Sequence, residues 1–324
     1  MSILSKFIGV AAMTVGLALS VAASATDFPS KTVTIVVPNP PGGASDIIAR
    51  VVAEKLQQKW GQPVVVENRP GASTIIGSDY VAKSAPDGHT LLQMTLTHSL
   101  NKTLQKSLPY NTEKDFVGVA QTNLSPMVLV AHPSQPFKNI KELIEFAKAN
   151  PGTLTYASAG NGTAQHLLAE MFKNMAGVDI VHIPYKGSSD AHPDLISGQV
   201  AIMFDTIPAI RQHIESGRIN AIAVAGANPS ALLPGIPTID ESGLKGYNAG
   251  SWGGLLAPAG TPVDVLNKIN TDVNAVLAEP AVVERLTKMG LEIKTGSPQD
   301  FDAFVRGETS RWAEVIKTAK IVAD

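Results

Sequence analysis

The sequence predicts an α/β fold divided into two domains. Three observations carry this. Buried-strand and amphipathic-helix patterns alternate along the chain. A mature length of roughly 300 residues is enough to bury two cores. A middle segment has strands of its own, flanked by two extended stretches that could serve as crossings.

In order, Val33-Thr34-Ile35-Val36-Val37 reads as a first strand, followed by the Gly-rich turn Pro38–Ser45 and a helix through Leu56. Pro63–Glu67 is the next strand; after the turn Asn68–Thr74 comes a helix of about ten residues towards Lys83, ended by Ala85-Pro86-Asp87-Gly88. Thr90–Met94 is a buried strand. Phe116–Ala120 and Met127–Ala131 form an extended stretch broken at Ser125-Pro126, the first candidate crossing. Ile140–Lys148 has helical spacing and stops before Pro151-Gly152. In the middle segment Leu154–Ala157, Asp179–Pro184, Val200–Phe204 and Ile219–Val224 read as strands. A helix opens at Gln165, and a short one runs from Ala209 to Ser216. Ser251–Pro258 is the second crossing, and Pro262–Ala278 and Phe301–Lys317 are amphipathic helices. The sheets are expected to be largely parallel. The expected division is residues 1–25 as a leader, 26–124 with 250–324 as one discontinuous lobe, and 125–249 as the other.

The leader follows from an apolar run, Phe7 to Ala23, after Lys6, ending in Ala23-Ser24-Ala25, a small-residue cleavage pattern. A membrane anchor is the rival reading; the run is short, rich in Ala and Gly, and lacks a basic stop. Export near Ala25 in a chain without cysteine points to a bacterial periplasm. The absence of cysteine also excludes disulfides, thiolate nucleophiles and Cys metal sites. With 26 Lys and Arg against 28 Asp and Glu, no net field favours nucleic acid.

Two turns share one design. Gly42-Gly43-Ala44-Ser45 and Ser158-Ala159-Gly160-Asn161-Gly162-Thr163 each join a buried strand to a helix. Helix starts offer unpaired N–H groups and the positive end of the dipole, so a pair of them suggests a clamp on an anion. The rival for the second turn is a dinucleotide fingerprint with Asp179 as the ribose acid. The third glycine of that motif is missing, Ala164-Gln165 standing in its place. Asp205, at the end of a strand before Thr206-Ile207-Pro208, is a candidate site residue or a helix cap. His98 and His166 are candidate cleft walls. Tyr185 and Trp252 read as cleft lining or core, and Lys186 as a solvated residue. There is no H-E-x-x-H, no G-x-S-x-G elbow and no phosphate-binding G-x-x-x-x-G-K-[ST] loop. Neither metal, cofactor nor catalysis is expected.

Many short stretches, in order, resemble one family. They include Pro40-Pro41-Gly42-Gly43-Ala44-Ser45-Asp46, Glu67-Asn68-Arg69-Pro70-Gly71-Ala72, Ala85-Pro86-Asp87-Gly88-His89-Thr90-Leu91-Leu92, His182-Ile183-Pro184-Tyr185-Lys186-Gly187, Met203-Phe204-Asp205 and Leu255-Leu256-Ala257-Pro258-Ala259-Gly260-Thr261-Pro262. Over the whole mature length the chain resembles the extracytoplasmic solute-binding components of tripartite tricarboxylate transporters, the Bug proteins. The resemblance implies a two-lobed, type II-like periplasmic-binding-protein fold that closes on a small carboxylate: a di- or tricarboxylate, an amino acid or an aromatic acid. It implies delivery to a permease of one large and one small membrane subunit. The expected state is a monomer. A sensor handing its loaded lobes to a receptor kinase is the alternative. Ser73-Thr74-Ile75-Ile76 departs from the Gly-Gly usual in the family after Gly71-Ala72, and places Ile75 near the cleft mouth.

Overall fold

The computed structural model describes residues 28–318, so the leader segment lies outside the described residues. Eleven strands and ten helices are described, and the strands form two sheets. The first sheet has the order β11-β4-β10-β3-β1-β2, with β1 Val33–Val37, β2 Val64–Asn68, β3 Thr90–Thr95, β4 Phe116–Ser125, β10 Ser251–Pro258 and β11 Glu292–Ile293. The second has the order β7-β6-β8-β5-β9, with β5 Met127–Ala131, β6 Thr155–Ser158, β7 Val181–Pro184, β8 Ile202–Thr206 and β9 Asn220–Val224.

The chain leaves the first sheet at Pro126 and returns to it at Ser251. The crossings lie side by side: β4 and β10 are antiparallel and Ser125 faces Ser251. This corrects the expectation of largely parallel sheets. β1 pairs in parallel with β2 and β3, and β6 with β7 and β8, through helical crossovers. The strands next to the crossings, β10 against β3 and β5 against β8 and β9, are antiparallel. A chain that passes to another sheet and comes back must re-enter in the opposite direction, and a pattern of apolar residues carries no such sign.

The helices are α1 Ala44–Trp60, α2 Ile75–Ala82, α3 Leu96–Leu104, α4 Ile140–Ala149, α5 Ala164–Ala176, α6 Ser188–Ser197, α7 Ile207–Glu215, α8 Val263–Leu277, α9 Pro280–Lys288 and α10 Pro298–Thr318. One apolar core fills the outer lobe between α1, α8 and the first sheet, with Ile35, Ile48, Leu56, Ile269 and Val273 at its centre. Another lies under α6 and α7 around Val128, Leu195, Met203 and Ile210. A third is continuous between the lobes, from Leu92, Leu100 and Trp312 to Leu129, Phe172 and Phe204. α10 reinforces this junction: the Trp252 indole donates to Glu308 (3.1 Å), and Arg311 donates to the Asn248 carbonyl (3.0 Å). No helix among the described residues is long and apolar enough to cross a membrane.

Candidate functional site

Between the lobes lies a cleft of about 820 Å³. Six helices begin on it. Their N-caps are Gly43 (α1), Thr74 (α2), Thr95 (α3), Thr163 (α5), Gly187 (α6) and Thr206 (α7), three from each lobe, and all six line the cleft. None carries a side-chain cap. α4, away from the cleft, shows the ordinary solution: Asn139 accepts from the Glu142 N–H (2.9 Å) and Glu142 accepts in return from the Asn139 amide. α8 and α9, also without side-chain caps, start away from the cleft. Each helix start brings roughly half a positive charge to the cleft, and backbone N–H groups of the first turns add donors, so the backbone favours an anion there. α7 adds least, because its Ile207 N–H donates to the Pro126 carbonyl (3.2 Å) and Pro208 has no N–H, and the carboxylates Asp190 and Asp205 stand on the same lining. Lys186, exposed at its edge, is the lysine on the lining, and no arginine lines it.

The turn before α1 is held from behind. Asp46, buried, accepts from the Gly42 N–H (3.0 Å), from Asn68 (2.9 Å) and from Arg50 (3.0 Å). Burial by itself would raise the Asp46 pKa; hydrogen bonds from Arg50, Gly42 and Asn68 outweigh it and hold the carboxyl below its ordinary value. Arg50 also donates to Asn68 (2.9 Å), so its charge is engaged within the lobe.

The turn before α2 is unusual. Gly71, Ala72, Ser73 and Thr74 all have positive φ, at 129°, 46°, 51° and 74°. Three consecutive left-handed residues other than glycine cost about 1–2 kcal/mol each and persist only where surroundings enforce them. Asn101 of α3 does so, donating to the Ser73 carbonyl (2.9 Å) and to Thr74 Oγ1 (3.2 Å). Ser73 Oγ then crosses the cleft to donate to the Asn161 carbonyl (2.8 Å).

In the inner lobe the turn between β6 and α5 is knotted by its own side chains. Thr163 Oγ1 donates to the Gly160 carbonyl (2.7 Å) and Ser158 Oγ accepts from the Gly160 N–H (3.1 Å). The Gly162 N–H donates to His166 Nδ1 (3.0 Å), and the His166 ring stacks on His182 (4.2 Å), which stacks on Tyr156 (4.7 Å). Beside this turn Asp205, fully buried, accepts from the Thr206 N–H (2.8 Å), Ser188 Oγ (3.2 Å) and Gln165 Nε2 (3.4 Å), and lies 2.7 Å from His192 Nε2.

Of the residues expected from the sequence, Gly42, Gly43, Ala44, Ser45, Ala159, Gly160, Thr163 and Asp205 line this one cleft. Ser158, Asn161 and Gly162 belong to the same turn: Ser158 and Gly162 take part in the hydrogen bonds that hold it, and the Asn161 carbonyl meets Ser73 of the other lobe. His98 and His166 do not line the cleft. His98 is buried, bonded through Nδ1 to Ser78 Oγ (2.8 Å) and stacked on Tyr110, and burial lowers its pKa to about 4. His166 is the internal acceptor just described. Both lie on helices that start at the cleft, but their ring faces are needed by the cores. Ile75 packs against the core, Trp252 is buried, and Tyr185 lines the cleft. Asp179, the acid a dinucleotide site would need, is exposed and away from the cleft.

Sequence reasoning read anion-receiving helix starts at α1 and α5 alone; it set Ile75 and Asp205 beside the cleft without reading the starts of α2 and α7 that way, and it missed α3, α6 and His192. A signal existed for two of these starts. Thr95 and Thr206 each stand between a buried strand and a helix, and Pro208 sits in the first turn of α7, where proline is favoured.

The family model described as "Tripartite tricarboxylate transporter family receptor" matches residues 48–321. Protein BugT of Bordetella pertussis is 38% identical over 319 residues, covering 98% of this chain and 97% of that protein. Two solved structures from Rhodopseudomonas palustris are similar throughout. Rpa4515 with adipate has 36% identity and a TM-score of 0.88, over 92% of this chain and all of that one. MatC with bound malate has 33% identity and a TM-score of 0.83, over 89% of this chain and all of that one. With most of its length matched by the family model and by full-length relatives, the chain belongs to the tripartite tricarboxylate transporter receptor family, the Bug solute-binding proteins.

Proposed function

We propose that this protein is a periplasmic receptor that captures a small carboxylate between its lobes and delivers it to the large and small membrane subunits of a tripartite transporter. It is exported through the leader ending near Ala25 and works as a monomer without cofactor or catalysis. The observation that carries the reading is the convergence of six uncapped helix starts, three from each lobe, on one cleft without arginine. Fixed N–H donors recognise a carboxylate and leave the rest of the ligand to the walls. That agrees with the two structural relatives, one with adipate and one with malate. The lobes, residues 26–124 with 250–324 and residues 125–249, close about the crossings at Ser125 and Ser251, because a ligand touching both sides selects the closed form.

A thermal-shift screen over dicarboxylates, tricarboxylates, aromatic acids and amino acids, each beside its amide, tests this. A fitting acid at about a hundred times its Kd stabilises the fold by about 2.7 kcal/mol. Its amide has no effect, because the amide NH2 faces donors. Equal shifts with acid and amide, or none with any acid, would overturn the reading.

A further inference from the structure

The donors described so far on the cleft are N–H groups of backbone and amide and hydroxyls of Ser and Thr, none of which gains or loses a proton near neutral pH. His192 is different. It lines the cleft beside Asp205, and its side chain is 12% exposed. Ser188 and His192 lie one turn apart on α6, so both reach the end of β8, where the Asp205 side chain is 1% exposed. Carboxylate oxygens only accept, and three other groups already donate to Asp205. His192 Nε2 therefore carries a proton directed at Asp205 Oδ2 (2.7 Å). Nδ1 is then an acceptor in the neutral ring and a donor in the imidazolium.

Few charged groups surround this ring. From α7, His213 meets the His192 ring edge-on at 5.4 Å; burial first, then Arg218 and His192, hold His213 below the ordinary imidazole value. On α6 itself Asp194 accepts from the Tyr185 hydroxyl (2.6 Å), and Asp190 lines the cleft. Lys186 stands at the exposed edge, and from α5 the neutral Gln165 faces Asp205.

We infer that His192, oriented by Asp205, is a specificity-determining residue that couples proton uptake to recognition of a second acidic group on the ligand. The inference rests on the carboxylate reading above. One carboxylate meets the helix starts; a second, at the imidazole, favours the doubly protonated ring, so a dicarboxylate binds with a proton and a monocarboxylate of equal length binds without one. Affinity for a dicarboxylate is then highest in mild acid and falls as the ring loses its proton.

Calorimetry with adipate, malate and hexanoate, at about pH 6 and about pH 8 in two buffers of different ionisation enthalpy, reads both quantities. In the wild type, adipate or malate should take up as much as one proton, with affinity falling by at most about tenfold per pH unit, the limit for one linked proton. Hexanoate should take up none. His192→Gln, which keeps an N–H for Asp205, should bind the dicarboxylates with pH-independent affinity and no proton uptake, its circular dichroism unchanged. Dicarboxylate binding that is pH-independent in the wild type, or proton uptake that persists in His192→Gln, would overturn this inference and leave the carboxylate reading standing. Binding of hexanoate but of neither dicarboxylate would do the same. Failure of every carboxylate to bind would remove both.

Discussion

The turns that open α1 and α5 face the same cleft, yet they are held by opposite means. Behind Gly42 and Gly43 stands a charged group: buried Asp46 with Arg50 and Asn68. Behind Gly160 and Gly162 the direct contacts are neutral, from Ser158, Thr163 and the His166–His182–Tyr156 stack, and the Glu170–Lys173 ion pair touches only the far end of that stack, at the Tyr156 hydroxyl. A receptor made of backbone N–H groups has one adjustable quality, the direction in which those groups point. Either an ion pair or a set of neutral hydrogen bonds can fix it, provided the fixing groups sit behind the turn and not in front. The Arg50 guanidinium, which could have formed an ion pair with a ligand, is instead used to build the turn.

The largest effect expected from this contrast is at Asp46. Asp46→Ala leaves the Gly42 N–H, Asn68 and Arg50 without their acceptor and should cost about 3 kcal/mol of stability in chemical denaturation. No single removal in the neutral turn should match that. The same group gives an acid limb. Its folded pKa is below the unfolded one, so its contribution is complete above the unfolded value, near pH 4, and disappears as pH falls through the folded value. Melting followed from pH 7 downwards should therefore lose, in Asp46→Ala, part of the wild-type acid sensitivity below about pH 4. An unchanged acid limb would mean that other carboxylates govern it.

Glycine sharpens the contrast at the next level. Gly160 has φ +122°, and a Cβ there would stand 3.1 Å from the Tyr185 carbonyl. Gly43 has φ −82°, and a Cβ there meets nothing within 4 Å. Gly160→Ala should cost about 2 kcal/mol in folding. Gly43→Ala should leave the melt unchanged within about 0.5 kcal/mol while weakening ligand binding about tenfold, since the methyl stands where the ligand must approach. Similar melts for the two variants would erase the distinction between a turn that needs glycine to fold and one that needs it to bind.

The smallest expected effect is at the contact between the lobes. Ser73→Ala removes the hydrogen bond to the Asn161 carbonyl and should destabilise the closed form by about 1 kcal/mol. Small-angle scattering of the ligand-free variant should give a larger radius of gyration than wild type. Identical curves would show that this bond does not hold the lobes together.

Much of the outer architecture was legible. Val33–Val37 before a Gly-rich turn, and Ile140–Lys148 before Pro-Gly, have the period and punctuation that local physics demands, and both appear as expected. Less legible were α3 and α6. Leu96–Leu104 carries Thr, His, Ser and Asn inside the fold, and Ser188–Ser197 contains Pro193, so neither displays a clean apolar stripe. Their partners, such as Ser78 for His98 and Asp205 for His192, come from other elements. The left-handed run at Ala72-Ser73-Thr74 was equally hidden, since nothing local favours it and Asn101 enforces it from α3, beyond α2 and β3.

By itself the sequence determined the alternation of strands and helices, the two glycine turns and the points at which the chain crosses between sheets. Those follow from side-chain period and from the backbone freedom of glycine and proline, which act over a few residues. Only the tertiary structure decided that four further helices start on the same cleft, that His98 and His166 turn into the cores, and that His192 meets Asp205. Those facts depend on which strand ends lie side by side and on which buried polar group finds its partner, and such distances are set by sheet order and packing between residues remote in the chain.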